Sequence, residues 1–508
     1  MSEVRENNKR IAKNTGFLYI RTILMMLVMF YTSRVVFQNL GVEDFGLYNI
    51  IGGVVVLFSF LETALQTATQ RYLNYELGRS DKKVASRVFS ASLSIYFGLC
   101  VIVLVVAETV GLWFIETQIQ IPEGRENAAF WTYQLVVLMT CSKIIRIPYN
   151  ASIIAFEKMN FYAYISIVEV LLQLLIAFLL SVVGYDRLIL YSFLMFFASS
   201  LILFVYFWYC KKRFDICVYH CFWDKSLYFK LMSFSGWSLF GGIAALGSSQ
   251  GANVLINVFF GVAVNAAAGI AQQVSSAIYT FVGNFQTAFK PQLVKSYASG
   301  NMDYFLELII NASKYSFYLF IVLAIPVLIN IDTFLKLWLG TVPEYAGTFC
   351  RLAIYFCLIE AICGPLYISV QAIGNIRNYQ LIMGGILLLN LPVSYILLKQ
   401  GMPANMIFVV RVAINVVMLL ARVIYLKKVI HFPLHRYVCT VILPCVMVIG
   451  TTYPIAGFIA EQNEGILWTI ISSFIGFVLT GLGVYLFGIS QRERNEVVKL
   501  LNRYLSRL

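Results

Sequence analysis

Residues 17–41 read FLYIRTILMMLVMFYTSRVVFQNLG. The run is long enough to cross the hydrocarbon core of a bilayer, which takes about 20 apolar residues, yet it carries Arg21 and Arg34. Apolar runs of the same kind follow one another through the chain, separated by short polar breaks. With 60% hydrophobic and 12% charged residues over 508 positions, the chain cannot clothe itself in an ordinary water-facing surface. Hydropathy therefore predicts an all-α polytopic membrane protein of about 14 transmembrane helices.

Basic residues set the expected orientation, because cytoplasmic loops retain Lys and Arg. With the N-terminus inside, the inner loops and tails hold about 29 of the 38 basic residues, among them RSDKK at 79–83 and KKR at 211–213, and the outer loops about 4. An even number of crossings leaves both termini cytoplasmic. The net charge of +13 follows from that asymmetry beside an anionic leaflet, so no nucleic acid is implied. The first apolar run is too long for a cleavable signal peptide and follows a polar tail, MSEVRENNKR.

Catalytic and metal chemistry find little support. The ten cysteines are scattered through apolar segments, where Cys acts as a small hydrophobe. CVYHC at 217–221 lacks a second ligand pair for zinc, and Pro433 interrupts the spacing of His431 and His435. No G-x-x-x-x-G-K-[ST] loop is present, so ATP hydrolysis is not expected. These readings predict no metal, no cofactor and no enzyme.

An internal repeat organises the chain. YELGRSD at 75–81 and YASGNMD at 297–303 share Y-x-x-G-x-x-D at an offset of about 222 residues, or six segments. Six is even, so the copies have the same orientation. The expected division is an N-terminal lobe at 1–210 (helices 1–6), a cytoplasmic connecting loop at 211–230, a C-terminal lobe at 231–428 (helices 7–12), and two additional helices with a cytoplasmic tail at 429–508. Two such pseudo-repeated six-helix lobes place a substrate cavity between them near the midplane.

Segments that could line water are picked out by polarity. Segment seven carries Gln250, Asn253 and Asn257 at helical spacings of three and four. Segment eight adds Gln272, Gln273, Ser275, Ser276, Asn284 and Gln286, and segment two Glu62, Thr63, Gln66, Thr67 and Gln70. Small and hydroxyl residues also serve as helix-to-helix glue in membranes. Ionisable residues inside a membrane are the sharper signal. Lys143 and Arg146 lie three apart before Pro148. Arg411, Asn415, Met418 and Arg422 fall on one helical stripe. Glu169 and Glu360 are deep acids, candidates for coupling, and Arg351 lies nine residues from Glu360, on the opposite side of its helix. Basic groups outnumber acids, so the favoured cavity is cationic and its ligand anionic.

The stretches at 21–60, 67–81 (TATQRYLNYELGRSD), 146–170 (RIPYNASIIAFEKMNFYAYISIVEV) and 290–301 (KPQLVKSYASGN) resemble bacterial polysaccharide-biosynthesis flippases. These are the Wzx-type members of the multidrug/oligosaccharidyl-lipid/polysaccharide (MOP) exporter superfamily. The resemblance implies a MATE-like fold of two lobes alternating between inward-open and outward-open forms in the bacterial inner membrane. It implies an undecaprenyl-diphosphate-linked oligosaccharide as cargo, for O-antigen, capsule or other surface polysaccharide. Membrane lipids and polysaccharide polymerase machinery are the further partners it implies. The candidate cavity residues are Arg21, Lys143, Arg146, Gln250, Asn253, Asn257, Lys290 and Arg411. The alternatives are a drug or cation exporter of the same superfamily, which should favour acidic cavity groups, and a membrane glycosyltransferase, polymerase or ligase.

The two arginines of the opening stretch separate by geometry. Thirteen helical residues place them about 20 Å apart along the axis and about 140° around it, so one narrow site cannot take both. Arg21 is expected to be the loading contact for a diphosphate, whose oxygens suit its planar fork. Arg34 is expected near the outer boundary, reaching or pairing there.

Overall fold

The computed structural model describes residues 2–56, 59–118, 121, 124–181, 186–463, 465–491 and 493–495. Met1 and residues 496–508, the end of the expected C-terminal appendage, lie outside the described residues. Among those described, every regular element is helical. This is the architecture a bilayer demands, since a helix satisfies its backbone hydrogen bonds internally.

Among the described residues, twelve helices are long and apolar enough to cross a membrane, which makes the chain a multi-pass membrane protein. The sequence expectation was about 14. The two expected segments without such a helix are the second and the eighth, the polar ones. Glu62, Thr63, Gln66 and Thr67 open the second, and Asn265, Gln272 and Gln273 dilute the eighth.

The chain forms two compact units. Met1–Gly242, Lys290–Gly300 and Ala372–Arg377 make up the first, and Ile243–Phe289, Asn301–Gln371 and Asn378–Leu508 the second. This is a partition by packing, distinct from a partition by sequence repeat.

In the first unit α1 (Ser2–Val56) and α2 (Ser59–Gly78) lead to α3 (Lys82–Val106). A π-turn, Ala107–Gly111, carries α3 into α4 (Leu112–Gln118). Next come α5 (Glu126–Ala155), α6 (Met159–Leu179) and α7 (Arg187–Arg213). Helix α5 is central and packs against α1, α2, α3, α6 and α7. Toward its two ends it buries small residues, Ala128 and Ala129 at one and Ala151, Ser152 and Ala155 at the other, which lets backbones approach where no hydrophobic force drives helices together. One end of the unit is pinned by charge. Arg125 donates from Nε (2.8 Å) and Nη2 to the Asp44 carboxylate, and from Nη1 to Asp186 (2.6 Å), whose other oxygen caps the start of α7.

The second unit contains most of α8 (Lys225–Ala298), then α9 (Met302–Ile329), α10 (Ile331–Leu339), α11 (Ala346–Ile373) as far as Gln371, α12 (Arg377–Leu388) from Asn378, α13 (Asn390–Lys399) and α14 (Met406–Ile430). Helix α15 (Leu434–Tyr437) runs through a π-turn, Val438–Ile442, into α16 (Leu443–Ala460), and α17 (Ile466–Gly483) follows. Helices α16 and α17 pack on each other and on α9. There Asn330 donates to Ser472 (3.1 Å) and Ser473 (2.9 Å).

The repeat is written in the backbone. Helix α1 breaks at Gly41 (φ 77°, ψ 177°) and α8 breaks at Gly261 (φ 81°, ψ −175°), a conformation that favours glycine. The side chains that cap α3 and α9 are Asp81 and Asn301, and α5 and α11 begin at Glu126 and Ala346. Each of these three pairs is 220 residues apart. The shared letters Y-x-x-G-x-x-D were spaced by 222, so the motif is two residues out of register with the structure it marks. Position for position, the left-handed residue before each cap is Ser80 (φ 60°) in one turn and Gly300 (φ 76°) in the other. The turns correspond, but their shared letters do not.

The chain beyond the last crossing docks on α9. Ser490 and Glu493 form a reciprocal cap: the Ser490 N–H donates to Oε2 (2.6 Å) and the Glu493 N–H to the Ser490 hydroxyl (3.4 Å). The Glu493 carboxylate also accepts from Lys314 Nζ (2.6 and 2.9 Å) and from the Tyr315 hydroxyl. Burial disfavours the carboxylate, but these donors outweigh it and hold its pKa down at about 2, against 4.5 for a free glutamate. The docked state is therefore fully favoured above pH 4.5 and loses stability as pH falls through the range from about 4.5 to about 2. Hydrogen exchange of peptides spanning 484–495 should rise over that window in the wild type. Glu493→Gln should exchange faster at neutral pH and show no such titration.

Candidate functional site

Each unit holds a group of ionisable side chains within its spanning helices. In the first, α5 presents Lys143 and Arg146 one turn apart. Arg146 Nη1 donates to Glu169 Oε1 of α6 at 3.0 Å, with the two side chains 18% and 26% exposed. The Tyr206 ring of α7 lies 5.5 Å from the Arg146 guanidinium. Arg21 of α1 sits 4.6 Å over the Tyr162 ring of α6, a cation–π contact, and its buried Nε has no hydrogen-bond partner among the described residues. Glu62 of α2 is near enough to act on both Lys143 and Arg146. Lys143 has no ion pair among the described residues.

Three cations and two carboxylates thus belong to this one unit. The sequence identified Arg21, Lys143, Arg146 and Glu169 singly, and the fold brings them into one unit with two tyrosines between them. Tyr162 and Tyr206 were missed, because 31 tyrosines in the chain give no ground for choosing two. Arg34, the other arginine of the opening stretch, is exposed.

In the second unit Glu360 of α11 meets Arg422 Nη1 of α14 at 3.5 Å. The stripe read from the sequence is real: Asn415, Met418 and Arg422 are buried on one side of α14, and Asn415 Nδ2 donates to the Phe356 carbonyl at 3.1 Å. Arg411, at the head of the stripe, lies 4.2 Å over the Phe356 ring and within the field of Glu360. It has no ion pair among the described residues. Arg351 pairs with Asp332 (2.6 Å) rather than with Glu360, as the nine-residue spacing required.

The amides divide by role. Ser248 accepts from Asn390 Nδ2 (3.2 Å), and a Cβ at Gly251 would stand 2.5 Å from Leu391, so this face of α8 packs on α13. Gln286 donates to the Ala361 carbonyl (3.4 Å) over Gly364. These groups are glue. Gln250 and Asn257 are exposed, with Asn253 donating to Gln250 at 3.1 Å, and Gln272, Gln273 and Ser276 are exposed beyond the Gly261 break. An exposed amide at membrane depth costs several kcal/mol in lipid, on the order of a lost hydrogen bond or more. These side chains therefore favour water or a polar ligand over lipid. Lys290, at the edge of the first unit, is partly buried without a carboxylate partner among the described residues.

No protein-family model matches the sequence, and no curated protein matches it. Solved structures do. A MATE crystal structure in the straight conformation superposes with a TM-score of 0.71 at 14% identity, covering 83% of this chain and 96% of that one. An outward-facing multidrug resistance MATE family transporter of the MOP superfamily gives 0.69 at 14%, covering 82% and 95%. A MOP superfamily transporter from Pyrococcus furiosus, described by a binding pocket of reversed polarity that suggests a different function, gives 0.67 at 15%, covering 82% and 95%. The chain has the fold of MATE transporters.

Breaking the Arg146–Glu169 pair from either side should destabilise the protein, because it leaves a buried charge uncompensated. Arg146→Ala and Glu169→Ala should each cost about 2–4 kcal/mol, and the double variant should recover a large part. Denaturant unfolding in mixed micelles measures the cycle.

Proposed function

We propose that this protein is a flippase for an undecaprenyl-diphosphate-linked oligosaccharide in the bacterial inner membrane, working by alternating access in a surface-polysaccharide pathway, with both termini cytoplasmic. The observation that carries the reading is the surplus of cations at membrane depth. In the first unit Arg146 pairs with Glu169, Lys143 lies within the field of Glu62 and Glu169, and Arg21 rests over Tyr162; in the second Arg422 pairs with Glu360, with Arg411 in its field. A charge is expensive there, so cations without carboxylates are costly unless an anion visits them. A diphosphate is such an anion, and a guanidinium offers it paired donors.

Two further features support the reading. The exposed amides of α8 can replace the hydration of glycan hydroxyls while the prenyl chain stays in lipid. The resemblance at 21–60, 67–81, 146–170 and 290–301 points to the same cargo. Membrane lipids and polysaccharide polymerase machinery are the partners this reading entails.

The drug or cation exporter reading draws on the same fold, since one solved relative is a multidrug resistance transporter. Charge is what separates the two: a cationic drug would meet repulsion at Arg21 and Lys143 in the first unit, and at Arg411 in the second. The Pyrococcus furiosus protein, described by reversed pocket polarity, indicates that this fold is compatible with either sign.

Proteoliposomes loaded with a defined lipid-linked oligosaccharide test the proposal. The wild type should move the lipid between leaflets. Arg21→Ala and Arg146→Ala should slow it at least about tenfold at equal membrane abundance, as loss of a charge-assisted phosphate contact implies. Arg21→Lys should be intermediate and Arg34→Ala near wild type. Movement of a cationic dye without movement of the lipid would establish the exporter reading, and a change in the glycan itself would establish an enzyme.

A further inference from the structure

Helix α7 has two sides. Leu188, Tyr191, Ser199, Ile202, Tyr206 and Cys210 are buried on one. On the other, Phe193, Phe197, Leu201, Phe204 and Trp208 recur at spacings of three and four and are exposed, Phe204 at 62% and Trp208 at 56%. The helix is long and apolar enough to cross a membrane, so an exposed apolar stripe along it is a face for lipid. The stripe runs on to the last turn, where Lys211 and Lys212 are exposed in their turn. All these residues belong to the first unit.

Basic residues at the end of a spanning helix need no ligand of their own. They complement the negative pole of the helix dipole, and their stems carry the charge out of the membrane into water. The two lysines of α7 are placed differently. Lys211 Nζ lies 5.5 Å from the centroid of the Phe207 ring, and Lys212 Nζ 5.1 Å from that of Trp208. Each therefore lies against a ring four residues earlier on the exposed stripe, a cation–π contact. A tryptophan ring prefers the headgroup level of a bilayer, so the ammonium beside it lies at that level too.

A ring face balances part of the charge, but an ammonium also has three N–H donors to satisfy. Neither ammonium meets a carboxylate among the described residues. The two acids of the adjoining segment are engaged elsewhere: Asp215 pairs with Lys82 (3.8 Å), and Asp224 accepts from two backbone N–H groups at the start of α8.

The end of α14 supplies an internal comparison. Lys427 and Lys428 are also adjacent, exposed and in the last turn of a spanning helix. Four residues before them stand Val423 and Ile424, which offer no ring. The same two charges thus end both helices, and the aromatic seats distinguish α7.

We propose that Lys211 and Lys212, seated on Phe207 and Trp208, bind the headgroup of an anionic phospholipid of the surrounding bilayer. Its phosphodiester accepts from the ammoniums beside Trp208, and its acyl chains lie along Phe204, Leu201 and Phe197. A zwitterionic lipid brings its own cation to the same place and binds less well. The inference rests on the lipid-facing stripe and holds for any cargo.

Native mass spectrometry of the full chain tests it, with the protein released from micelles holding equal amounts of phosphatidylglycerol and phosphatidylcholine of the same acyl chains. The wild type should retain phosphatidylglycerol in preference. Replacing both lysines, Lys211→Gln with Lys212→Gln, should weaken the tightest phosphatidylglycerol by about tenfold or more, as loss of two charges near a lipid surface implies. Replacing the other pair, Lys427→Gln with Lys428→Gln, should leave that lipid bound as in the wild type. Wild-type retention in the first double variant overturns the proposal, and so does an equal loss in the two, which would mean diffuse attraction to all basic ends. Inorganic phosphate in excess should not displace the lipid; displacement would assign the lysines to a soluble anion and overturn the lipid site. Absence of any preference for phosphatidylglycerol in the wild type overturns it without recourse to a variant.

Discussion

Inside a bilayer there is no water to receive a polar group, and the rest of this structure follows from that constraint. Backbone amides are satisfied by helices alone. Side-chain charges are satisfied by one another, by aromatic faces, or by the carbonyls at helix ends. Arg146 with Glu169 shows the first solution, Arg21 over Tyr162 the second and Arg71 on α11 the third. Each costs less than an unpaired charge, and each ties together helices distant in the sequence.

The three solutions differ in what they leave available. A buried ion pair binds its cation to a fixed carboxylate, and replacing it requires another anion or a proton. A cation over an aromatic ring keeps its hydrogen-bond donors. That is the position of Arg21, whose Nε has no acceptor among the described residues, and of Arg411 over Phe356. An arginine held in this way is desolvated, oriented and still able to bind. The amides on α8 follow the same division: those that touch another helix are used up, and those that remain exposed can serve a ligand.

Polarity also explains why about 14 segments are expected from the sequence while twelve helices among the described residues are apolar enough to cross. The helices at the second and eighth expected positions carry Glu62, Gln66, Gln272 and Gln273, and fall short of the apolar content of their neighbours. The same two regions begin after Gly41 and Gly261, where the backbone breaks. Amides and carboxylates take the place of apolar surface in these two stretches, which is why neither reaches the apolar content of a crossing helix.

The sequence by itself determined that this is an all-helical, multi-pass membrane protein, because apolar runs of bilayer length admit no other reading. It also identified the individual deep charges, since any Lys, Arg or Glu in such a run stands out. It marked the repeat but misplaced its register by two residues, because shared letters at a turn report turn chemistry and only backbone geometry reports equivalence. Tertiary structure alone decided the partners: Glu169 for Arg146, Arg422 for Glu360, Tyr162 for Arg21, and the end of α11 for Arg71. These contacts join residues between 23 and 302 positions apart for the hydrogen-bonded pairs. No periodicity along one helix encodes which face of another it will meet, so packing had to settle them.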